Sequence, residues 1–558
     1  MKETLRPPTI PEEDKSPLVE QLLALIERQS VIIQQLRDEI ARLKNQPPRP
    51  DIKPSSLGKK KKRSKGSLRN KRAGSEKRSK TTYLEIHKTK PIEPENIPAG
   101  SEFRSYKDFV VQDIVIKPLN TRFRLKVYQT PDGGYVTGKL PAYFNGKHFG
   151  PTLIRFILYQ YYHCHVTQPV LLEQLKEFGI DISAGQLNNL LIEEKDRFHQ
   201  EKDRILSVGL QVSGYINVDD TGARHKGKNG YCTHIGNESF SWFESTGSKS
   251  RINFLKLLRA GHSDCAINMD AVCYMQSNKL PQQVLNTIES SLGMIFANDS
   301  QWNEFLTENG IVNDRHVQIA TEGALIGSII EHGISKQLVI VSDDAGQFNV
   351  LLHALCWIHA NRAIDKIIPF TDQAQKDLEA VKDQVWQLYE GLKSYKQNPR
   401  SKDKKRLNDM FDDIFMQTTS SAVLNLVLKR IYNNKSELLL VLERPDIPLH
   451  NNSAENAIRE YVKKRKISGG TRSDTGRTCR DTFTSLKKTC RKLGVSFWQY
   501  LKDRIEKTGF IPDLSELIRE HALKRGRHYF ATFFCYRVSP NAIWMTASYC
   551  CDSNYYHH

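Results

Sequence analysis

The chain lacks any run of apolar residues long enough to cross a bilayer, which takes about 18 or more. Its opening stretch, MKETLRPPTIPEEDK, lacks the apolar core of a secretory signal. It also lacks a Cys-x-x-Cys pair. The ten cysteines are scattered at 164, 232, 265, 273, 356, 479, 490, 535, 550 and 551. That spacing excludes a zinc ribbon and a secreted disulfide framework, so a reducing cytoplasm is expected. Negative charge is in deficit as well: 63 Asp+Glu stand against 82 Lys+Arg, a net +19. Residues 59–80 hold twelve Lys/Arg against Glu76 alone, or +11, and the remaining +8 is still basic. An excess of this size points to a polyanionic partner, nucleic acid ahead of acidic lipid. With 558 residues, 39% hydrophobic and 26% charged, the chain is globular in composition and too long for a single core.

The order of patterns suggests a modular chain. Val19, Leu22, Ile26, Gln29, Ile33, Leu36, Ile40 and Leu43 step by 3 and 4. β-Branched residues at a and Leu at d, with Gln29 as one polar d residue, predict a parallel two-stranded coiled coil that ends at Pro47 and Pro48. Residues 45–80 are rich in Pro, Lys, Arg, Ser and Gly and predict a disordered basic linker. This is not a bZIP order, because the basic run follows the zipper across prolines instead of preceding it. Residues 102–140 alternate with period two around Asp132-Gly133-Gly134 and predict a small β unit. Within the helical stretch 151–206, "VLLEQLKEFGIDISAGQLNNLLIEE" outlines two short helices about Gly179, with Ser183 as N-cap of the second.

Three acidic sites follow. "GYINVDD" is a strand ending in Asp219-Asp220, before a meander of "YCTHIGN" and "SFSWFES". "QLVIVSDD" is a buried strand ending in Asp343-Asp344, and Glu455 stands in the first turn of a helix that Asn452 or Ser453 could cap. Carboxylates at strand ends of an α/β sheet lie where ligand crevices form. Buried charge there requires a partner or a metal. Three converging carboxylates suit two Mg²⁺ (or Mn²⁺) ions about 3.5–4 Å apart, an arrangement that acts on phosphodiesters. Taken singly, each acidic pair is equally compatible with turn or cap chemistry, and the residues alone do not choose within a pair.

The segments "VDDTGARHKGKNGYCTHIGN", "SDDAGQFNVLLHALCWIHANRAI" and "HNNSAENAIREYVKKRKISGG" together resemble the catalytic segments of DDE transposases of the insertion sequence 66 family. The resemblance covers the zipper and residues from about 150 to 510. Asn451, Asn452, Glu455 and Arg459 match the family's Asn-Asn-x-x-Glu-x-x-x-Arg element. The resemblance implies an RNase H-like (retroviral-integrase-like) α/β catalytic domain with a helical insertion, and a metal-binding catalytic triad of Asp219, Asp343 and Glu455. It implies Mg²⁺-dependent cleavage at terminal inverted repeats of a bacterial element and joining of the 3′ ends to target DNA. The implied partners are double-stranded DNA, a second copy through the coil, and accessory proteins of the same element. The implied location is the bacterial cytoplasm, at the nucleoid, without a membrane.

Cys356 and His359 match a Cys-x-x-His signature and are expected to support the site with Asn452 and Arg459; with one such pair, no zinc is expected. Trp357 reads equally as core or as a DNA contact. Lys226, Lys228, Lys463, Lys464, Arg465, Lys466 and Arg472 are expected to meet DNA. The predicted layout is a coiled-coil dimerisation helix at 1–46, the basic linker at 47–100 and the β unit at 101–145. A helix-turn-helix-like DNA-binding domain at 146–206 precedes a catalytic domain at 207–510, with its insertion at about 365–440. A tail at 511–558 closes the chain. The β unit stands where family members carry a cysteine-rich zinc element. About 80 residues after the meander, 257–335, have no readable pattern. The aromatic, Cys-rich tail from about 526 reads as a read-through or frameshifted end. The rival readings are an inactive transposase remnant acting as a DNA-binding repressor, and an RNase H-like nuclease of another purpose.

Overall fold

The computed structural model describes residues 84–140 and 148–534, with side chains to 524, and scattered positions between 16 and 32. Val19, Leu22, Ile26 and Gln29 of the heptad are helical; the rest of the heptad, the basic run 59–80 and residues 535–558 lie outside the described residues. Among the described residues no helix is long and apolar enough to cross a membrane.

The period-two stretch forms less sheet than its pattern predicts. Only β1 (Val127–Gln129) and β2 (Tyr135–Thr137) pair, antiparallel, about a turn in which Gly133 takes φ +83°. Residues 102–126 contain no strand, and Phe109 and Leu119 are about nine-tenths exposed. Two three-residue strands bury no common apolar face, which an independent sheet needs. The expected β unit is therefore a hairpin at the end of an extended arm.

α1 (Pro151–Leu158) runs into a π-turn at Tyr159–His163. α2 (Gln168–Glu177) and α3 (Ala184–Ile192) flank Gly179, which takes φ +77° as the turn requires. Ser183 caps α3 in a reciprocal box with Gln186. Leu171 and Leu175, then Leu187 and Leu191, face inward at i,i+4 spacing. α4 (Asp196–Val212) follows. These helices share one buried cluster with the central sheet, so the described residues 148–206 have no core of their own.

The sheet begins with an antiparallel meander of β3 (Tyr215–Gly222), β4 (Tyr231–Gly236) and β5 (Ser241–Thr246). The unreadable stretch then forms a helical unit: α5 (Arg251–Leu258), β6 (Cys265–Ala266), α6 (Met269–Ser277), α7 (Gln282–Glu289), β7 (Ile295–Phe296), α8 (Asp299–Glu308) and α9 (Asp314–Glu331). β8 (Val339–Ser342) and β9 (Leu352–Leu355) complete a five-stranded sheet of order β5-β4-β3-β8-β9, with β8 parallel to β3 and β9 parallel to β8. α10 (Trp357–Asp365) leads into an insertion of α11 (Asp372–Gln397), α12 (Ser401–Phe415) and α13 (Ala422–Asn433). α14 (Asn452–Ser468), α15 (Asp474–Lys492), α16 (Phe497–Glu506) and α17 (Leu514–Phe534) follow.

Alternation along the strands sends the sheet's two faces into two cores. Ile216, Val218 and Ile340 join the core built with α1–α9; Val339, Val341 and Ala354 join that of α10–α13. Trp357 belongs to the second core, with its Nε1 donating to Leu438 O at 2.9 Å, so it is not a DNA contact. At the other end, Leu514 and Ile518 are fully buried, and Leu514 N donates to Glu201 Oε1. The break expected at 510 thus falls inside packed structure.

The outer edge of β5 is closed by side chains. Ser241 N donates to Thr489 Oγ1 at 3.1 Å, Phe243 N to Ser485 Oγ at 2.9 Å, and Ser245 N to Asp481 Oδ2 at 2.8 Å. Residues at i, i+4 and i+8 of α15 therefore meet every second N–H of an edge strand, which would otherwise be open to strand addition. Ser485→Ala and Thr489→Val each strand a buried N–H, at a cost of roughly 1–3 kcal/mol. Urea unfolding of the double variant should show a lowered midpoint at unchanged slope; a wild-type midpoint would refute the role given to these bonds.

Candidate active site

The parallel register of two strands brings the acidic pairs to one end of the sheet. Tyr215, Ile216 and Asn217 pair with Val339, Ile340 and Val341. Asp219 lies two residues beyond Asn217 on β3, and Asp343 directly follows Ser342, the last residue of β8. Among neighbouring charges, Asp343 acts most strongly on Asp219. Asp220 accepts from Gln347 Nε2 at 2.7 Å, and Asp344 turns outward to Arg430 at 2.6 Å and is exposed.

α14 lies over the face that carries Asn217, Asp219 and Thr221. Neither Asn452 nor Ser453 caps it, contrary to expectation: Asn451 occupies the cap position, and its side chain is used across the fold. Asn451 is 1% exposed. Its Nδ2 donates to Val218 O at 2.7 Å, its Oδ1 accepts from Asn217 Nδ2 at 2.9 Å, and its N–H donates to Cys356 Sγ at 3.1 Å. One side chain and one amide thus tie the strand of Asp219, the start of α10 and the start of Glu455's helix. These buried contacts are made by Asn451, the neighbour of the residue singled out in the sequence. Cys356 is buried, and burial pushes its thiol up to about 11, so it acts as a neutral acceptor.

Glu455 faces two guanidinium groups and an imidazole. Arg459 and Arg362 approach its Oε2 at 3.4 and 3.5 Å, and His359 Nε2 is 3.9 Å from Oε1. Arg362 also donates to His359 at 3.1 Å. Burial lowers the pKa of His359, and Glu455 opposes that shift. Arg362 escaped the sequence reading; its signal was its position three residues after His359 on one helical face. Gln347 had no such signal.

Burial, then Asp343, Asp220 and Glu455, push the Asp219 carboxyl well above its usual range. Burial, then Asp220, push Asp343 up to about 6. Asp343 Oδ1 and Glu455 Oε1 are buried without a hydrogen-bond partner. Crowded, undersaturated carboxylate oxygens fit a divalent cation, which takes oxygen ligands and relieves the repulsion. Among the described residues, Asp219, Asp343 and Glu455 are not gathered as a set within 4.8 Å.

The expected DNA-facing cations divide. The loop after β3 and the segment after α14 are stitched together: Lys226 N donates to Thr471 O at 2.8 Å, and His225 bonds Thr471 Oγ1 and Asp474 Oδ1. Lys226, Lys228, Lys463, Lys466 and Arg472 are exposed, with Lys226 paired to Asp474. Arg465 is half-buried and binds Gly222 O and Thr221 Oγ1 at the end of β3. Lys464 is buried, donates to Tyr161 O at 2.9 Å and lies 3.6 Å from that ring's centroid. It faces the interior, which corrects its assignment as a DNA contact.

Replacing Asn451 by Ala leaves buried polar groups of Asn217 and Val218 unpaired, so a loss on the order of 2–4 kcal/mol in chemical denaturation is expected; an unchanged midpoint would contradict the latch. Lys464 gives a signed pH effect. Burial, then Arg480 and Lys487, push it down to about 7 from 10.5. Below about 7 the folded chain holds a buried cation; as pH rises towards 10.5 the folded group sheds its proton and that cost is relieved. Wild-type stability relative to Lys464→Met should therefore rise over this window, as read by denaturation at several pH values. A constant difference would show that Lys464 keeps its proton.

A family model described as "Transposase IS66 family" matches residues 327–478, which include Asp343, Cys356, His359 and Glu455. An uncharacterized protein, y4jO, of Sinorhizobium fredii is 45% identical over 303 residues, covering 54% of this chain and 94% of that protein. The acidic strand ends, the Asn451-anchored helix and these two similarities agree, and the chain belongs to the IS66 family of transposases.

Proposed function

We propose that this protein is a DDE-type transposase that binds the terminal inverted repeats of a bacterial insertion sequence and catalyses metal-dependent cleavage and strand transfer. Asp219, Asp343 and Glu455 are its metal-binding carboxylates. The observation that carries this reading is the meeting of Asp219 and Asp343 where adjacent parallel strands end, with Glu455 near enough to act on Asp219. Three antiparallel strands followed by two parallel ones support an RNase H-like catalytic unit within 207–510.

Two ions, Mg²⁺ or Mn²⁺, would supply Lewis-acid stabilisation of the in-line displacement at phosphorus and activate water or a 3′-hydroxyl. The chain's own residues orient and neutralise. Asn451 fixes the helix of Glu455 against β3, Arg362 and Arg459 hold that carboxylate, and Gln347 binds Asp220 beside the pair. Lys226, Lys228, Lys463, Lys466 and Arg472 line the stitched basic edge and would neutralise DNA phosphates. The α2–α3 pair is the proposed repeat-reading element, and the heptad at 1–46 the proposed dimer contact that lets two ends be held at once.

Asp219→Asn, Asp343→Asn and Glu455→Gln should each lower cleavage of labelled repeat DNA in Mg²⁺ by roughly 100-fold or more while repeat binding persists. Asp344→Asn should leave cleavage within a few-fold of wild type. Cleavage that survives Asp343→Asn, or is lost in Asp344→Asn, would sink the assignment.

A further inference from the structure

We propose that Arg251 is a positioning residue of the carboxylate centre: it sets the turn that follows Asp343, and with it the affinity of the carboxylates for a divalent cation. This role rests on the metal-binding reading of Asp219, Asp343 and Glu455 above. It gives the helical unit between β5 and β8 a task in that site.

Arg251 is the first residue of α5, after the capping Ser250, whose side chain accepts from Asn253 N. Its planar guanidinium reaches two ways. NH2 donates to Gly346 O at 2.8 Å, in the 3-10 turn Gly346–Phe348. NH1 donates to Glu322 Oε2 and to Tyr274 OH, each at 3.3 Å. Glu322 lies inside the helical unit at 1% exposure. Its Oε2 also accepts from Tyr274 OH at 2.5 Å, and its Oε1 from Gln318 Nε2 at 2.9 Å. A buried ion pair adds little stability over apolar packing. What this one supplies is direction, because α5, α6 and α9 together fix where the guanidinium points. Phe254, three residues on in α5, packs edge-on against Phe348 with ring centroids 5.0 Å apart, so the turn is also held by an apolar contact.

The turn held in this way reaches two acids. Burial pushes the Asp343 carboxyl up, and the backbone of Ala345 hydrogen-bonds it and opposes that push. Gly346 O and the Gln347 N–H belong to one peptide plane. The Gln347 side chain donates to Asp220 Oδ2 at 2.7 Å. Fixing that plane therefore restrains the residues on either side of Gly346 that touch Asp343 and Asp220. Partners of this kind, standing behind metal-binding side chains, contribute about 10–100-fold in metal affinity.

The test measures Mn²⁺ binding to the full-length protein without DNA, by calorimetry and by the paramagnetic resonance signal of free Mn²⁺. Arg251→Gln and Arg251→Lys should each weaken binding by about ten-fold or more. Lysine keeps the charge beside Glu322 but has no fork to span to Gly346 O as well. Its melting temperature in chelator should therefore stay near wild type. Thr489→Val, which loosens the β5 edge, should lower stability and leave Mn²⁺ affinity unchanged. Wild-type Mn²⁺ affinity in both Arg251 variants, or an equal loss in Thr489→Val, would overturn the role of Arg251. Asp343→Asn separates the two readings. Mn²⁺ binding that persists in Asp343→Asn refutes the metal-binding reading itself. Binding lost there and kept in the Arg251 variants refutes the role of Arg251 alone.

Discussion

Two carboxylates brought together where neighbouring parallel strands end repel each other, and burial makes that repulsion stronger. Asp219 and Asp343 meet because the register of β3 against β8 brings their segments to the same end of the sheet. The register is in turn fixed by what lies behind the acids. Ile216, Val218 and Ile340 enter one core, Val339 and Val341 the other, and a one-residue slip would exchange the two sets. The apolar interior therefore holds the charges together.

The pieces around this pair come from far apart in the chain and are joined by few, well-buried polar contacts. Asn451 is the central one, because its amide and side chain reach two other segments at once. Glu455 inherits its position from that contact and its counter-charge from Arg362 and Arg459. The 3-10 turn after Asp343 is held from the opposite side: Arg251 NH2 donates to Gly346 O at 2.8 Å while its NH1 meets the buried Glu322 of α9. The helical unit between β5 and β8 is thereby connected to the loop of the second acid.

Local signals were legible in the sequence where local chemistry decides the outcome. The turn at Gly179, the Ser183 cap and the meander after Asp219 all follow from short-range pattern. The choice of Asp219 and Asp343 over their neighbours came from a resemblance, because no single strand contains a reason to prefer one member of a pair. Residues 102–126 misled because period-two alternation describes a surface and does not say what covers it. Lys464 misled because a run of cations on a helix looks uniform in sequence, while helical rotation turns one of them inward every turn. The unit at 257–335 was unreadable because its helices are short and rely on glycine contacts such as Gly327 against Ala266.

The seal on β5 carries a geometric limit. Four residues of helix advance about 6.0 Å, and two residues of strand about 6.8 Å. The α15 side chains and the β5 amides therefore behave like two scales with slightly different rulings. They coincide at one tooth, drift by about 0.8 Å at the next, and are out of hydrogen-bond reach by the fourth or fifth. β5 is six residues long and presents three outward N–H groups, all matched. The length of this outer strand is thus bounded by the pitch of the helix beside it, and a longer strand would need a second helix, or a bend, to remain closed.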